Sequence, residues 1–180
     1  MSRFALAAVL VLAPFAVMAQ KTSYDYDKTA SFGAFKSYAL KEGTKVGDPL
    51  VDQRLVQAIE TELAAKGLAK SATAPDLFVT YHVAIDKQKD ITAWSTGGGP
   101  YGWGWGGGWG TTDVRVNEIL VGTLLIDLVD VAKNQMVWRG MGVGEIDPQA
   151  KAEKRDKNVK RAVQKILKNY PPKMKANTHP

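Results

Sequence analysis

Two pairs of acidic residues, Asp25 with Asp27 and Asp127 with Asp130, lie close enough in sequence to suggest the carboxylate couple of a glycoside hydrolase. Asp25 and Asp27 belong to a polar lead-in, and Asp130 falls near a turn, where aspartate supports the backbone. Asp127 is the most informative of the four, because it interrupts an otherwise apolar run, Leu124-Leu125-Ile126 and Leu128-Val129. It alternates with apolar neighbours as an outward-facing strand residue does, and Arg139 or Arg115 on another strand could neutralise it. An ion pair is expected there. Were the chain a hydrolase acting on envelope polymers, Asp127 and neighbouring carboxylates would be its acid and base.

Nucleophilic and metal chemistry have less to draw on. The chain has no cysteine and two histidines, His82 and His179. Thr80, His82 and Asp86 share one face of an alternating segment, but a single strand holds its side chains parallel and cannot converge them into a triad. His82 reads as a partly exposed, hydrogen-bonded residue. A zinc-type site needs more ligands than this. No Gly-x-Ser-x-Gly elbow or Gly-Lys-Ser/Thr phosphate loop is present. The expectation is a protein with no catalytic residues, no metal and no cofactor.

The unusual chemistry lies in residues 97–110, which read GGGPYGWGWGGGWG, nine glycines of fourteen. Glycine loses the most entropy on ordering and brings no side chain to a core, so this is a loop, and its flanks look like two strands of a long hairpin. Tyr101, Trp103, Trp105 and Trp109 are the candidate contact residues. Such rings could stack on sugars, enter a lipid headgroup region or anchor a protein interface. The plainer alternative is a passive insertion whose rings lie against their own sheet.

The elements that would carry this loop follow from periodicity. Residues 32–40, with Phe32, Phe35 and Tyr38, read as a first strand after an extended, polar stretch over 20–31. Asp48 and Pro49 start a helix, one by capping free N–H groups and the other by fitting the first turn. Val51, Leu55, Ile59 and Leu63, with Val56, form its apolar stripe, and Gly67 stops it. Residues 76–86 alternate strictly, as a half-buried strand does, with an extension reaching Trp94. Over 112–129 the apolar parity slips between Val116 and Ile119, which predicts a β-bulge near Asn117-Glu118 or a turn near Gly122. A turn over 132–135 leads to a return strand over 136–146, with Trp138 at its centre. Asp147-Pro148 opens a last helical region, in which Val159, Ala162, Val163, Ile166, Leu167 and Tyr170 share a face before Pro171-Pro172. Two amphipathic helices need an apolar surface to lie on. The predicted fold is α+β: an antiparallel sheet with both helices packed on one face, a two-layer sandwich with a long Gly/Trp-rich hairpin loop.

Met1-Ser2-Arg3, the apolar run from Phe4 to Val17 and the small residues before Gln20 have the form of a secretory signal peptide cut after Ala19. The run is shorter than the roughly 20 apolar residues a membrane span needs, and Pro14 sits inside it. The expected organisation is a signal peptide over 1–19, one domain over 20–173 and a disordered tail over 174–180. The expected location is the periplasm, and the mature protein would not be integral to a membrane. Net charge is +6, and residues 151–168 hold eight Lys or Arg against Glu153 and Asp156. That block could face an anionic surface, but a solvated helix face is the plainer account. Nucleic acid is not an expected partner outside the cytoplasm.

Several of these pieces occur together in one known family. They are Tyr26-Asp27 ahead of Phe32, Phe35 and Tyr38; Pro49-Leu50-Val51-Asp52; and Pro75-Asp76-Leu77-Phe78-Val79. A glycine-rich aromatic stretch follows, then Gly122-Thr123-Leu124-Leu125-Ile126-Asp127-Leu128-Val129-Asp130, Val137-Trp138-Arg139-Gly140, and Glu153-Lys154-Arg155 before Tyr170-Pro171-Pro172. In number and order they make the chain resemble the bacterial envelope family called domain of unknown function 4136. The resemblance implies a Gram-negative envelope protein, often a lipoprotein, with no catalytic residues to carry over. This chain departs from the lipoprotein form because it has no cysteine to lipidate. The functional expectation is a non-enzymatic binding or assembly module that meets an envelope protein, glycan or lipid through Tyr101, Trp103, Trp105 and Trp109. The alternatives are the hydrolase above and a structural or stress-related periplasmic protein.

Overall fold

The computed structural model describes residues 21–95 and 112–173. The expected signal peptide, the four candidate residues of the glycine-rich loop and the tail over 174–180 lie outside them. The elements are β1 (Lys21–Tyr26), a 3₁₀ turn (Phe32–Ala34), β2 (Ser37–Leu40), α1 (Pro49–Ala65), β3 (Ala69–Lys70), β4 (Leu77–Ser95), β5 (Thr112–Asp130), β6 (Gln135–Ile146) and α2 (Ala152–Leu167). Six strands form one sheet in the order β1-β6-β5-β4-β2-β3. With two helices this is an α+β fold.

The sheet is mixed, which corrects the expectation of an antiparallel one. β4, β5, β6 and β1 pair antiparallel, but β2 runs parallel to both β3 and β4. The cause is α1, which carries the chain back after β2; a helical crossover returns the next strand in the same direction. The start of β2 is pinned by Asp76, whose Oδ2 accepts from the N–H groups of Lys36 and Ser37 and from Ser37 Oγ at 2.8, 2.9 and 2.9 Å. Hence the strand expected over 32–40 shortens to its second half, and Phe32 turns into the core from a 3₁₀ turn.

Three further expectations are corrected. The lead-in over 20–31 supplies an edge strand, because β1 pairs residue by residue with β6 from Lys21↔Val143 to Tyr26↔Trp138. The β4–β5 ladder runs unbroken from Leu77↔Asp130 to Ser95↔Thr112, with no bulge at Asn117-Glu118 and no turn at Gly122. The irregularity sits instead between Leu128 and Val129 against β6, where Val137 is the extra residue and is buried with Trp138. The apparent parity slip has a simple source: Val121, Leu125 and Val129 make the outer sheet face partly apolar too, so both parities look buried. Finally, α2 starts at Ala152; Asp147 caps a preceding turn by accepting from Gln149 N–H at 2.9 Å.

Other local rules hold. Asp48 Oδ1 accepts from Leu50 N–H at 2.9 Å at the start of α1, and Gly67 beyond its end has φ 83°. Leu55, Ala58, Ile59 and Leu63 of α1 and Val163, Ile166 and Leu167 of α2 are buried with Leu77, Val79, Tyr81, Ile126 and Leu128 of the sheet in one core. Each fully buried large aliphatic contributes about 1.5–3 kcal/mol relative to exposure. α2 approaches β6 closely because that strand is glycine-rich. A Cβ at Gly140 would lie 2.6 Å from Ile166 Cγ2, and one at Gly142 would lie 2.8 Å from Ile166 Cδ1. An aromatic cluster closes the other end: Trp138 meets Tyr170 edge-on at 5.6 Å, and Phe32 meets Tyr170 at 5.9 Å.

Candidate functional site

The ladder between β4 and β5 is far longer than anything beside it. On one flank, β6 pairs with β5 only from Leu120 onward. On the other, β2 reaches only Val79 of β4, and an isolated bridge joins Thr44 to His82. From Gln88↔Ile119 to Ser95↔Thr112, β4 and β5 therefore have only each other among the described residues. Those eight rungs project roughly 27 Å at the antiparallel rise per residue. Residues 84–89 are all exposed. The candidate residues Tyr101, Trp103, Trp105 and Trp109 fall between the two strand ends of this arm, outside the described residues. Sequence reasoning placed the hairpin but missed its isolation. The signal was the run Asp86-Lys87-Gln88-Lys89-Asp90, five polar residues inside a strand, which leaves neither face suited to burial.

Asp127 and Asp130 make the contacts expected from sequence. Asp127 is buried on the outer parity of β5, and Arg139 donates to both of its oxygens, Nε to Oδ1 at 2.7 Å and Nη2 to Oδ2 at 2.6 Å. The two are direct cross-strand partners, and the carboxylate raises the already high guanidinium pKa further. Asp130 Oδ1 accepts from the N–H groups of Ala132 and Lys133, holding the β5–β6 turn. Asp25 and Asp27 are not a pair facing one substrate. Asp25 accepts from Tyr26 N–H, and Asp27 accepts from the Thr29 hydroxyl and N–H, which hold its carboxyl below the usual range. His82 is half-buried and engaged: Thr44 N–H donates to its Nδ1 at 3.2 Å. Its strand companions Thr80 and Asp86 do not converge on it, being two and four positions away along β4. Among the described residues, no group of three or more His, Cys, Asp or Glu side chains is placed to hold a metal ion.

A cleft of about 390 Å³ opens between the sheet and the first turns of α1 and α2. Val51, Leu55, Val83, Leu124 and Val159 wall it, and Gly122, Gly142 and Gly144 leave its floor without side chains. At its mouth Arg155 lies 3.8 Å from Asp48 and donates to the Ala150 and Pro148 carbonyls. This chemistry suits an apolar group; the buried carboxylate Asp127 faces the other side of the sheet. Nearby, Tyr81 donates its hydroxyl to Asp52 Oδ1 at 2.7 Å, tying α1 to β4, and burial with that contact raises its pKa. The basic block is the solvent face of α2, where Lys151, Lys154, Lys157, Lys160, Arg161 and Lys168 are exposed opposite buried Val163, Ile166 and Leu167. Lys154 pairs with Asp147 at 2.9 Å and Lys160 with Asp156 at 2.8 Å. No helix among the described residues is long and apolar enough to cross a membrane.

A family model described as domain of unknown function (DUF4136) matches residues 22–172, and the chain belongs to that family. No curated protein matches it. Among solved structures, it is similar to a PDZ domain protein from Parabacteroides distasonis ATCC 8503, with 18% identity and a TM-score of 0.55. The alignment covers 86% of this chain and 36% of that one, so the chain spans about a third of that protein's length. It is also similar to the PelC dodecamer from Paraburkholderia phytofirmans, with 11% identity and a TM-score of 0.50, covering 83% of this chain and 95% of that one. At these identities the likeness concerns the fold.

Proposed function

We propose that the chain, as a DUF4136 protein, is a non-catalytic binding or assembly module of a Gram-negative envelope. It is exported by a signal peptide cut after Ala19 and works in the periplasm. Its body is a two-layer sandwich, with both helices on one face of the sheet. The contact strip is the glycine-rich segment, with Tyr101, Trp103, Trp105 and Trp109 meeting an envelope protein, glycan or lipid. The observation that carries this reading is the arm. Eight unsupported rungs hold the ends of the segment away from the core, where a chain that merely joined two strands would need only a short turn. A segment rich in aromatic residues that joins the two ends of a projecting ribbon suits an anchor that enters a partner's pocket or interface. The fold neighbour that forms a dodecamer supports the assembly side of the reading.

The test is site-specific photo-crosslinking in intact cells. A photoreactive residue at Trp105 should capture one dominant species, and the same residue at exposed Gln57 on α1 should not. No adduct at Trp105 in exported, folded protein, or equal labelling from Gln57, would leave the loop passive.

A further inference from the structure

The geometry points to self-assembly: the free edges of the β4–β5 arm accept the arm of a second copy of this chain, so that copies array side by side in one continuous antiparallel ribbon. This goes beyond the loop contact proposed above and does not rest on it.

The first observation is the bare ribbon itself. A two-stranded hairpin is marginal in water, and long unpaired edges are open to strand addition unless something covers them. Among the described residues, both edges run free over the same rungs, from Gln88↔Ile119 to Ser95↔Thr112. At the root of the arm, Lys87, Gln88, Lys89 and Glu118 are exposed.

The second observation is that the two edges match each other. β4 leaves the body and β5 returns to it. Two arms pointing the same way therefore bring β5 of one copy beside β4 of the next, automatically antiparallel. The backbone parity also agrees. Val79 C=O accepts from Lys41 N–H and Val83 N–H donates to Thr44 C=O, so the odd-numbered residues of β4 turn their polar groups to that edge. The unbroken register carries this parity along the arm, which leaves the even-numbered residues of β5 turned to the opposite edge. Level alignment then pairs odd residues of β4 in one copy with even residues of β5 in the next, and these also share a sheet face.

The third observation is charge. In level register Lys89 of one copy faces Glu118 of the next. A slip of two residues toward the body, the smallest that keeps each face in place, puts Lys87 there instead, whereas the opposite slip puts Ile91 there. Opposite charges across strands are favourable, so charge selects the two registers that set a lysine against the glutamate. β4 against β4 centred at Gln88 would instead set Lys87 of one copy against Lys89 of the other, which disfavours that two-fold pairing. The contact is head-to-tail, and it closes into a ring or continues as a filament according to the rotation between copies.

The protein has no cysteine, which makes the test clean. Lys89→Cys and Glu118→Cys are made separately, expressed from the full-length sequence, purified, mixed and oxidised. Neither variant can close a disulfide within itself. Level pairing sets the two Cα atoms roughly 5.5 Å apart, within disulfide reach. A dominant heterodisulfide joining one chain of each variant is expected, with a Gln57→Cys variant on α1 as the collision control. In parallel, sedimentation and native mass should show more than two copies. Lys89→Pro removes an N–H on the free edge and leaves the β4–β5 bonds intact, so it should raise the dissociation midpoint by at least about tenfold while circular dichroism stays native. A monomer at about 100 μM, a dominant homodisulfide between two Lys89→Cys chains, or a native-like Lys89→Pro protein of unchanged mass would each overturn the proposal. If Lys89→Pro fails to fold, the heterodisulfide decides alone.

Discussion

Gly142→Ala places one methyl group where α2 crosses β6. The new Cβ would lie 2.8 Å from Ile166 Cδ1 and 2.9 Å from Ile166 Cγ1, against roughly 3.5–4.0 Å for a comfortable carbon pair. Ile166 is 1% exposed, so it cannot swing into solvent. Overpacking of this kind costs about 1–2 kcal/mol. Ile166→Val alone removes Cδ1 and leaves a small void, costing about 1 kcal/mol. Together the two changes should cost about 1 kcal/mol less than their sum, because the alanine methyl occupies the space the isoleucine terminus vacates. Thermal melts read this directly, at roughly 2–4 °C per kcal/mol for a chain of this size. Gly47→Ala is the control: nothing lies within 4 Å of its Cβ, and its change should stay within about 0.5 kcal/mol. Strict additivity of the two substitutions, or a neutral Gly142→Ala, would refute the claim that glycines on β6 set the distance of closest approach to α2.

Arg139→Ala strips both donors from Asp127, whose side chain is 4% exposed; a loss of about 1–3 kcal/mol is expected in urea unfolding. Arg139→Lys should lose less, and Asp127→Ala with Arg139→Ala should recover part of the loss. The Lys36 N–H, Ser37 hydroxyl and Ser37 N–H hold the Asp76 carboxyl below its ordinary 3.8. Its contribution is complete above that value and is lost as pH falls through the lower folded value, so Asp76→Asn should flatten the acid limb of a stability–pH curve. Burial pushes the Tyr170 hydroxyl from 10.0 up to about 12. Its contribution is complete below pH 10 and disappears as pH rises toward 12. Across that window wild type should lose about 3 kcal/mol that Tyr170→Phe does not, as alkaline denaturant titrations will read.

Much of this architecture was legible because it rests on local rules. The cap at Asp48, the stop at Gly67 and the stripe from Val51 to Leu63 each reflect a repeat within a few residues, and each appears in place; the strand expected over 76–86 is also there, but its half-buried alternation ends at Val83 and Ile85 is exposed. The partner of Asp127 was legible only as one of two arginines expected on another strand. Arg139 is its direct cross-strand partner, while Arg115 lies on the same unbroken strand as Asp127, which corrects that half of the expectation. The parity slip misled because it assumed that one sheet face is dry and the other wet. The outer face carries Val121, Leu125 and Val129 half-buried, so alternation alone could not locate the bulge.

The sequence by itself determined where helices start and stop, which strands pair as a hairpin, the class of the fold and the family. These follow from short-range stereochemistry and from residue patterns along the chain. Only the tertiary structure decided that β2 lies parallel between β3 and β4, that β1 guards the opposite edge, and that the β4–β5 ladder outruns every neighbour. Those outcomes depend on which distant segment reaches each edge and where it ends. That is set by crossover geometry and by the length of every other strand, and no window of residues along β4 or β5 contains it.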